Sequence, residues 1–324
     1  ASLLASLRDF IVAVQHSMEQ RNIHAPLMVV RGDGTLMSAE FAARAPVETI
    51  HSGPAASAIG GRFLSRLDDA LVVDIGGTST DLALVRGGQV TVSEAGATVG
   101  EYKTSITAAN LLSIAIGGDS HITSGPNKDI LVGPERVTPL AYLAQQFPLV
   151  LDQLRSLAKR TWPQAAPEQL EYWFMLREPQ GNNRRAIAKH EQVLMNLLRQ
   201  GPQPVPQILK QLNVLHVGQT GADSLFRREI IGKAGLTPTD LLHVEGRFNA
   251  WSQEAAHLAL DSFSRYHFTK PEIIRDQVWK IMKESIIAAI VTFLSEKKMP
   301  PTALPVDHDF WRWFFENSLY NSDD

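Results

Sequence analysis

Eight consecutive residues, Asp74-Ile75-Gly76-Gly77-Thr78-Ser79-Thr80-Asp81, hold two carboxylates, two glycines and three hydroxyls. Without Cβ atoms, Gly76 and Gly77 let the backbone approach a ligand closely. Successive N–H groups in such a turn make a concavity for an anion. Thr78, Ser79 and Thr80 add hydroxyl donors, and the flanking Asp74 and Asp81 are suited to a hydrated divalent cation. The chemistry is that of a nucleotide phosphate chelated by magnesium. The plainer reading is a glycine-rich hairpin with polar turn residues. A second glycine turn, Ile116-Gly117-Gly118-Asp119-Ser120-His121, either lines a ligand cleft or only reverses the chain. At Ser52-Gly53-Pro54, Ser52 reads as a helix N-cap with the glycine and proline just inside. Alternatively, the first N–H groups of that helix face an anionic ligand.

The elements that would position these groups follow from local pattern. The apolar runs Ala70–Val73 and Leu82–Val85 bracket the octapeptide, giving strand, tight turn, strand. Upstream, Leu3, Leu4, Leu7, Phe10, Ile11, Val14 and Met18 share one helical face, and a short strand covers Leu27 to Val30 before a turn at Gly32-Asp33-Gly34. A helix is predicted over 53–66, and a hairpin through Arg86-Gly87-Gly88-Gln89 into Val90-Thr91-Val92. From 148 to about 235 the strands disappear and Leu, Gln, Arg and Lys dominate. Short helices are expected at Val193–Leu198, Val205–Leu212 and Leu225–Ile231. Thr237-Pro238-Thr239-Asp240 is a helix start with Thr as cap, Pro at the first position and an acid three residues on. A long helix covers about 271–297, its apolar face built from Ile274, Val278, Ile281, Met282, Ile286, Val291 and Leu294.

Composition narrows the function classes. The 324 residues are 44% hydrophobic and 20% charged, ordinary globular usage, and the net charge of −3 gives no global case for nucleic acid or an anionic membrane. With no cysteine, disulfides, thiolate metal sites and cysteine nucleophiles are excluded, which suits the cytoplasm. The longest apolar run, Ile286 to Leu294, is too short to span a bilayer. Both ends read as cuts through a longer protein, and apolar faces on the first and last helices call for missing segments or a second copy. His51, His121, His216 and His243 lack paired metal-ligand spacing and read as structural or surface residues. Asp307-His308-Asp309, ahead of Trp311, Trp313, Phe314 and Phe315, reads as the lead into a packing segment.

Taken in order, a further set of residues carries a resemblance. It comprises Val30 to Met37, Pro46 to Ala56, Asp74 to Asp81, Ile116 to Ser120, and Gly235 to Asp240 continuing to Gly246-Arg247-Phe248-Asn249-Ala250-Trp251. Over about residues 25–255 the chain resembles the hydantoinase A and oxoprolinase family of ATP-dependent amidohydrolases and related carboxylase subunits. The octapeptide is similar to the second phosphate loop of the wider actin, heat-shock-chaperone and sugar-kinase ATPases. The resemblance implies an α/β, ribonuclease-H-like actin-type ATPase lobe over 1–147. It implies a mainly helical insertion over 148–235 and a helical C-terminal part of the ATPase-like domain over 236–324.

By the same resemblance, ATP and Mg2+ are the cofactors. Asp74 and Asp81 would orient magnesium or the attacking group, and Gly76, Gly77, Thr78, Ser79 and Thr80 would meet phosphate oxygens. Ser52, Gly53, Gly117, Gly118 and Asp119 would complete the nucleotide side. Gly117 to Ser120 departs from the family pattern, which has more glycine there. No first phosphate loop is present, and the family's adenine-side glycine segment would fall beyond this chain, so half a nucleotide cleft is expected. The implied reaction is ATP-driven hydrolysis of a cyclic amide of the hydantoin or 5-oxoproline type, with a second subunit or flanking domains as partners and homo-oligomers possible in principle. Rival readings are a regulatory ATPase module without its own substrate, a carboxylase subunit, and a non-enzymatic interaction remnant. The helix, Gly-Pro turn and helix of the insertion also match a winged-helix skeleton. Arg184, Arg185, Lys189, Arg227 and Arg228 are basic, yet the second helix carries only Lys210, which disfavours nucleic acid.

Overall fold

The computed structural model describes residues 2–93, 98–99, 102–103, 108–159, 167–179 and 187–295. Asp307-His308-Asp309, the aromatic run after it, Arg184 and Arg185 lie outside the described residues. The fold is mixed α/β, and its contacts divide into two compact units. The first takes residues up to Gly76, Thr80–Ile114 and the last turns of the final helix from Ala289. The second takes Gly77–Ser79 and Ala115–Ala288.

In the first unit, α1 (Ser2–Gln20) packs on β1 (Met28–Val30), β2 (Leu36–Ser38) and α2 (Ala39–Arg44). Ile11, Met37, Ala39 and Ala42 form this small core, with Leu7, Leu27 and Val29 against it. Phe10, placed on the buried stripe by its spacing, is 64% exposed instead. The stripe is narrower than the sequence implies, Ile11 being its buried member.

The loop between β1 and β2 is pinned by its own polar groups. The Arg31 guanidinium takes Glu48 at 2.6 and 3.1 Å, and Asp33 accepts the Thr35 N–H and hydroxyl. Gly32 donates its N–H to the Glu48 carbonyl and accepts from Ala109 N–H. A Cβ on Gly32 would collide with the Ile50 carbonyl oxygen, which is backbone and cannot swing aside. Gly32→Ala should therefore destabilise the fold by about 2 kcal/mol, the scale of an overpacked site. Urea denaturation would show it as a lower midpoint at unchanged slope.

The helix α3 (Ser52–Ser65) lies on a hairpin of β3 (Ala70–Ile75) and β4 (Thr80–Arg86), whose register sets Asp74 opposite Asp81. Ala55 and Ala58 bury completely, and Gly61 lets Val72 close against the helix. Phe63, Leu64 and Leu67, apolar in the pattern, are 81%, 82% and 55% exposed. The predicted hairpin turn is present: Arg86 pairs with Gln89 of β5 (Gln89–Val90) around Gly87 and Gly88, both at positive φ. Short pairs follow, β6 (Val92–Ser93) with β9 (Ala108–Ala109) and β7 (Thr98–Val99) with β8 (Tyr102–Lys103). Then β10 (Leu111–Ile114) adds to the far side of β4.

The second unit opens with the hairpin of β11 (Ser120–Ser124) and β12 (Ile130–Arg136), followed by β13 (Thr138–Pro139), α4 (Leu140–Gln146) and α5 (Pro148–Ala158). The expectation that strands disappear after residue 148 is corrected here. β14 (Tyr172–Met175), β15 (Gln203–Pro204) and β16 (Ile231–Gly235) form a sheet with β13 in the order β13-β16-β14-β15. Between them sit α6 (Lys189–Leu198) and α7 (Val205–Leu212), as predicted, and α8 (Ala222–Arg227). Leu225–Ile231, expected as one helix, splits between the end of α8 and the start of β16. Buried Leu225 and Ile230 explain why both halves look apolar. The unit continues with α9 (Pro238–Val244), α10 (Gln253–Tyr266) and, as far as Ala288, the long α11 (Pro271–Ser295).

Two cores result. One gathers Leu140, Leu143, Leu154, Tyr172, Phe174, Leu260, Phe263, Ile274 and Val278 under α4, α5, α10 and α11. The other gathers Trp173, Leu194, Met195, Ile208, Leu225 and Ile231 among α6, α7 and α8. Among the described residues no helix is long and apolar enough to cross a membrane.

Candidate functional site

In the first unit, β3 and β4 hold the two aspartates of the octapeptide side by side as register partners. The Ser57 hydroxyl donates to Asp74 Oδ2 at 2.6 Å, tying α3 to the hairpin. Ser57 was not legible as a site residue; the one clue is a hydroxyl on the Ala-rich face of α3. Asp81 lies across from Ser113 of β10 and is half-buried. Thr80 is paired with Ile75 and fully buried, so its side chain is not open to a phosphate, contrary to expectation. Strand alternation puts it on the face opposite Asp81.

The expectation for Ser52 is also corrected. The cap of α3 is His51, in left-handed backbone at φ 62, with no side-chain capping bond, and Ser52 is the first helical residue. The N–H groups of Ser52 and Gly53 consequently meet no acceptor among the described residues. Gly53 is exposed, and a Cβ there would meet nothing. This leaves the positive end of a 14-residue helix unneutralised.

In the second unit, the hairpin tip Gly77–Ser79 joins the second glycine turn. Asp119 N–H donates to the Gly77 carbonyl at 2.8 Å. The Asp119 carboxylate lies so close that a Cβ on Gly77 would be 2.6 Å from Oδ2. The turn itself is braced from within, since Gly117 N–H bonds Ser120 Oγ at 2.9 Å. It is braced from behind by α9: the Thr239 N–H and hydroxyl both donate to the Gly118 carbonyl, at 2.9 and 2.8 Å. What is left over is informative. The N–H groups of Gly77, Thr78 and Gly118 donate to nothing among the described residues. The tip is a bend with no turn hydrogen bond of its own, so its donors are not consumed internally.

The brace depends on Asp240. Its fully buried carboxylate accepts Thr237 N–H and hydroxyl at 2.9 Å each, Leu140 N–H at 3.2 Å and Ala141 N–H at 2.7 Å. It thus closes the predicted capping box on α9 and caps α4 as well, whose own cap Pro139 has no side-chain acceptor. Burial pushes the Asp240 carboxyl up to about 6, against the pull of these bonds. His243, also buried, donates from Nδ1 to the Thr239 carbonyl at 2.8 Å and accepts Trp251 N–H on Nε2 at 3.2 Å. Those two bonds fix the orientation of its ring.

Beyond the turn, His121 is buried with Nδ1 3.4 Å from Glu135 Oε2, and Lys233 Nζ reaches Glu135 Oε1 at 2.6 Å. The His121 ring, joined by Lys233, holds the Glu135 carboxyl down at about 2, with burial opposing. His121 packs on Gly235, where any Cβ would strike its Nε2. His121 and His243 are thus built into the packing.

Among the described residues no three His, Cys, Asp or Glu side chains converge to hold a metal. The fit to magnesium rests on Asp74 and Asp81 alone. Two carboxylates suit an ion that keeps its waters and takes its other ligands from a phosphate.

Residues 1–142 match the model of the Hydantoinase/oxoprolinase family. The fold is similar to that of acetone carboxylase, an enzyme of ATP-dependent acetone carboxylation, in its nucleotide-free state. The TM-score is 0.52 and the identity 15%, with 89% of this chain and 30% of that chain covered. The chain therefore spans under a third of the length of that relative. No curated protein gave a significant match.

Proposed function

We propose that the chain is part of an ATP-dependent enzyme of the hydantoinase and oxoprolinase kind, hydrolysing a cyclic amide such as a hydantoin or 5-oxoproline. The observation that carries this reading is the set of N–H groups at Gly77, Thr78 and Gly118 that have no acceptor among the described residues, within a chain whose first 142 residues match the family. Preset N–H donors in glycine turns can hold phosphate oxygens without reorganisation. In this reading the lobe over 1–147 is of actin type, 148–235 is an inserted module and 236–324 completes the domain.

Gly76, Gly77, Thr78, Ser79, Gly117 and Gly118 would approach the phosphates, and the α3 start at Ser52 and Gly53 would offer a second pair of N–H groups. Asp74 and Asp81 would hold the hydrated magnesium, which when bound neutralises charge on the phosphates. Activation is the chemical purpose: phosphorylating a carbonyl or enol oxygen turns it into a leaving group. The partners are the small substrate and flanking domains or a second subunit, and the compartment is the cytoplasm.

The likeness to acetone carboxylase favours a second reading, an ATP-dependent carboxylase subunit. One experiment separates these. The protein containing this chain, with any partner subunit, is assayed for phosphate release in the presence of hydantoin, 5-oxoproline, or acetone with bicarbonate. Release in step with ring opening supports the amidohydrolase, and release in step with carboxylation supports the second reading. Phosphate release indifferent to all three substrates overturns both and leaves a regulatory ATPase module.

A further inference from the structure

The backbone on either side of Arg136 is fixed to the second glycine turn. Arg136 stands opposite Ser120 in the β11–β12 register, and the next residue, Val137, donates its N–H to the Asp119 carbonyl at 3.0 Å. The guanidinium is not fixed in the same way. Its side chain is 62% exposed, and its one partner among the described residues is Asp119 Oδ2, 3.6 Å from Nε and too far for a hydrogen bond. Arg31, Arg155 and Arg199, by contrast, each place two nitrogens on one carboxyl group, with contacts of 2.6 to 3.1 Å. Arg136 is therefore an anchored base carrying an uncommitted planar fork.

The Asp119 carboxylate that holds it loosely is the group pressed on Gly77. The hairpin tip and this turn together present the N–H groups of Gly77, Thr78 and Gly118, which donate to nothing among the described residues, all within this unit. A polyphosphate entering that concavity brings several negative charges beside Asp119, which repels them. The turn's own donors are neutral, so a cation is needed within reach, and the guanidinium geometry matches two phosphate oxygens at once.

We infer that Arg136 is a phosphate-contacting residue of this site, resting on Asp119 until a polyphosphate takes its place. The inference rests on the phosphate reading of the two turns. It adds a cationic contact that the glycine motifs do not contain, and it makes Asp119 a competitor for Arg136.

The test is calorimetric titration of the chain with MgATP and, separately, with inorganic pyrophosphate. Arg136→Ala should weaken both at least tenfold and flatten the salt dependence of binding. Arg136→Lys should recover part of the loss, because it keeps the charge but not the fork. Asp119→Asn should tighten metal-free pyrophosphate several-fold. The thermal midpoint of Arg136→Ala should match that of the unsubstituted chain, since a lone exposed pair contributes little to stability. Equal binding by Arg136→Ala and the unsubstituted chain overturns the role of Arg136 alone. No binding of either probe by the unsubstituted chain overturns the phosphate reading, and this assignment falls with it.

Discussion

Asp240→Ala should cost about 4 kcal/mol of stability and lower the thermal midpoint by roughly 10 °C. The substitution strips the acceptor from four donors at once: Thr237 N–H and hydroxyl, Leu140 N–H and Ala141 N–H. Each buried donor left unpaired costs about 1–3 kcal/mol, and the sum is less than additive because the helix ends relax together. The pH dependence has a definite sign. The Asp240 carboxyl titrates at about 6 in the fold and near 3.8 when unfolded, so the folded state holds its proton more tightly. Its contribution to stability is full below about 4 and shrinks by about 3 kcal/mol as pH rises through 6. The stability gap between the unsubstituted chain and Asp240→Ala should therefore narrow from pH 4 to pH 7. Denaturant melts across that window would show it, and a gap that widens would refute the account.

Asp81→Ala should lower ATP turnover by the protein containing this chain on the order of a hundredfold to a thousandfold, the scale for removing one group that stabilises transition-state charge. The expectation follows from the register that sets Asp81 against Asp74 at the base of the glycine turn. Far-UV circular dichroism should be unchanged, because β4 keeps its pairing to both β3 and β10. Phosphate release at saturating MgATP is the measurement; near-normal turnover would remove Asp81 from the mechanism.

Features that depend on neighbours in sequence were the legible ones. The Thr237–Asp240 capping box, the Arg86–Gln89 turn and the long α11 each declare themselves within a few residues, and the structure contains all three. The octapeptide was legible as strand, turn and strand for the same reason. What escaped reading depends on tertiary partners. Tyr172-Trp173-Phe174-Met175 shows no alternation because both faces of the strand are buried, and a wholly apolar run of four cannot be told from helix by period. Ser52 seemed a cap because its residue type suits one, but His51 in left-handed backbone moved the helix start by one residue. Ser57 and Arg136 act on groups distant in sequence, so no motif includes them. The burial of Thr80 was hidden by its neighbours in a polar turn.

β14 has a consequence for how this half of the molecule comes apart. Its alternate side chains serve different neighbourhoods: Tyr172 and Phe174 enter the core under α4, α5, α10 and α11, while Trp173 and Met175 enter the one among α6, α7 and α8. One strand is thus a party wall between two rooms. Neither room can lose it without opening the other, and a slip of one residue would exchange the occupants of both. The α6–α8 segment, for all that it has a hydrophobic centre of its own, is in that sense not a detachable module. Excising it would strip the cover from the Trp173 and Met175 side of that wall.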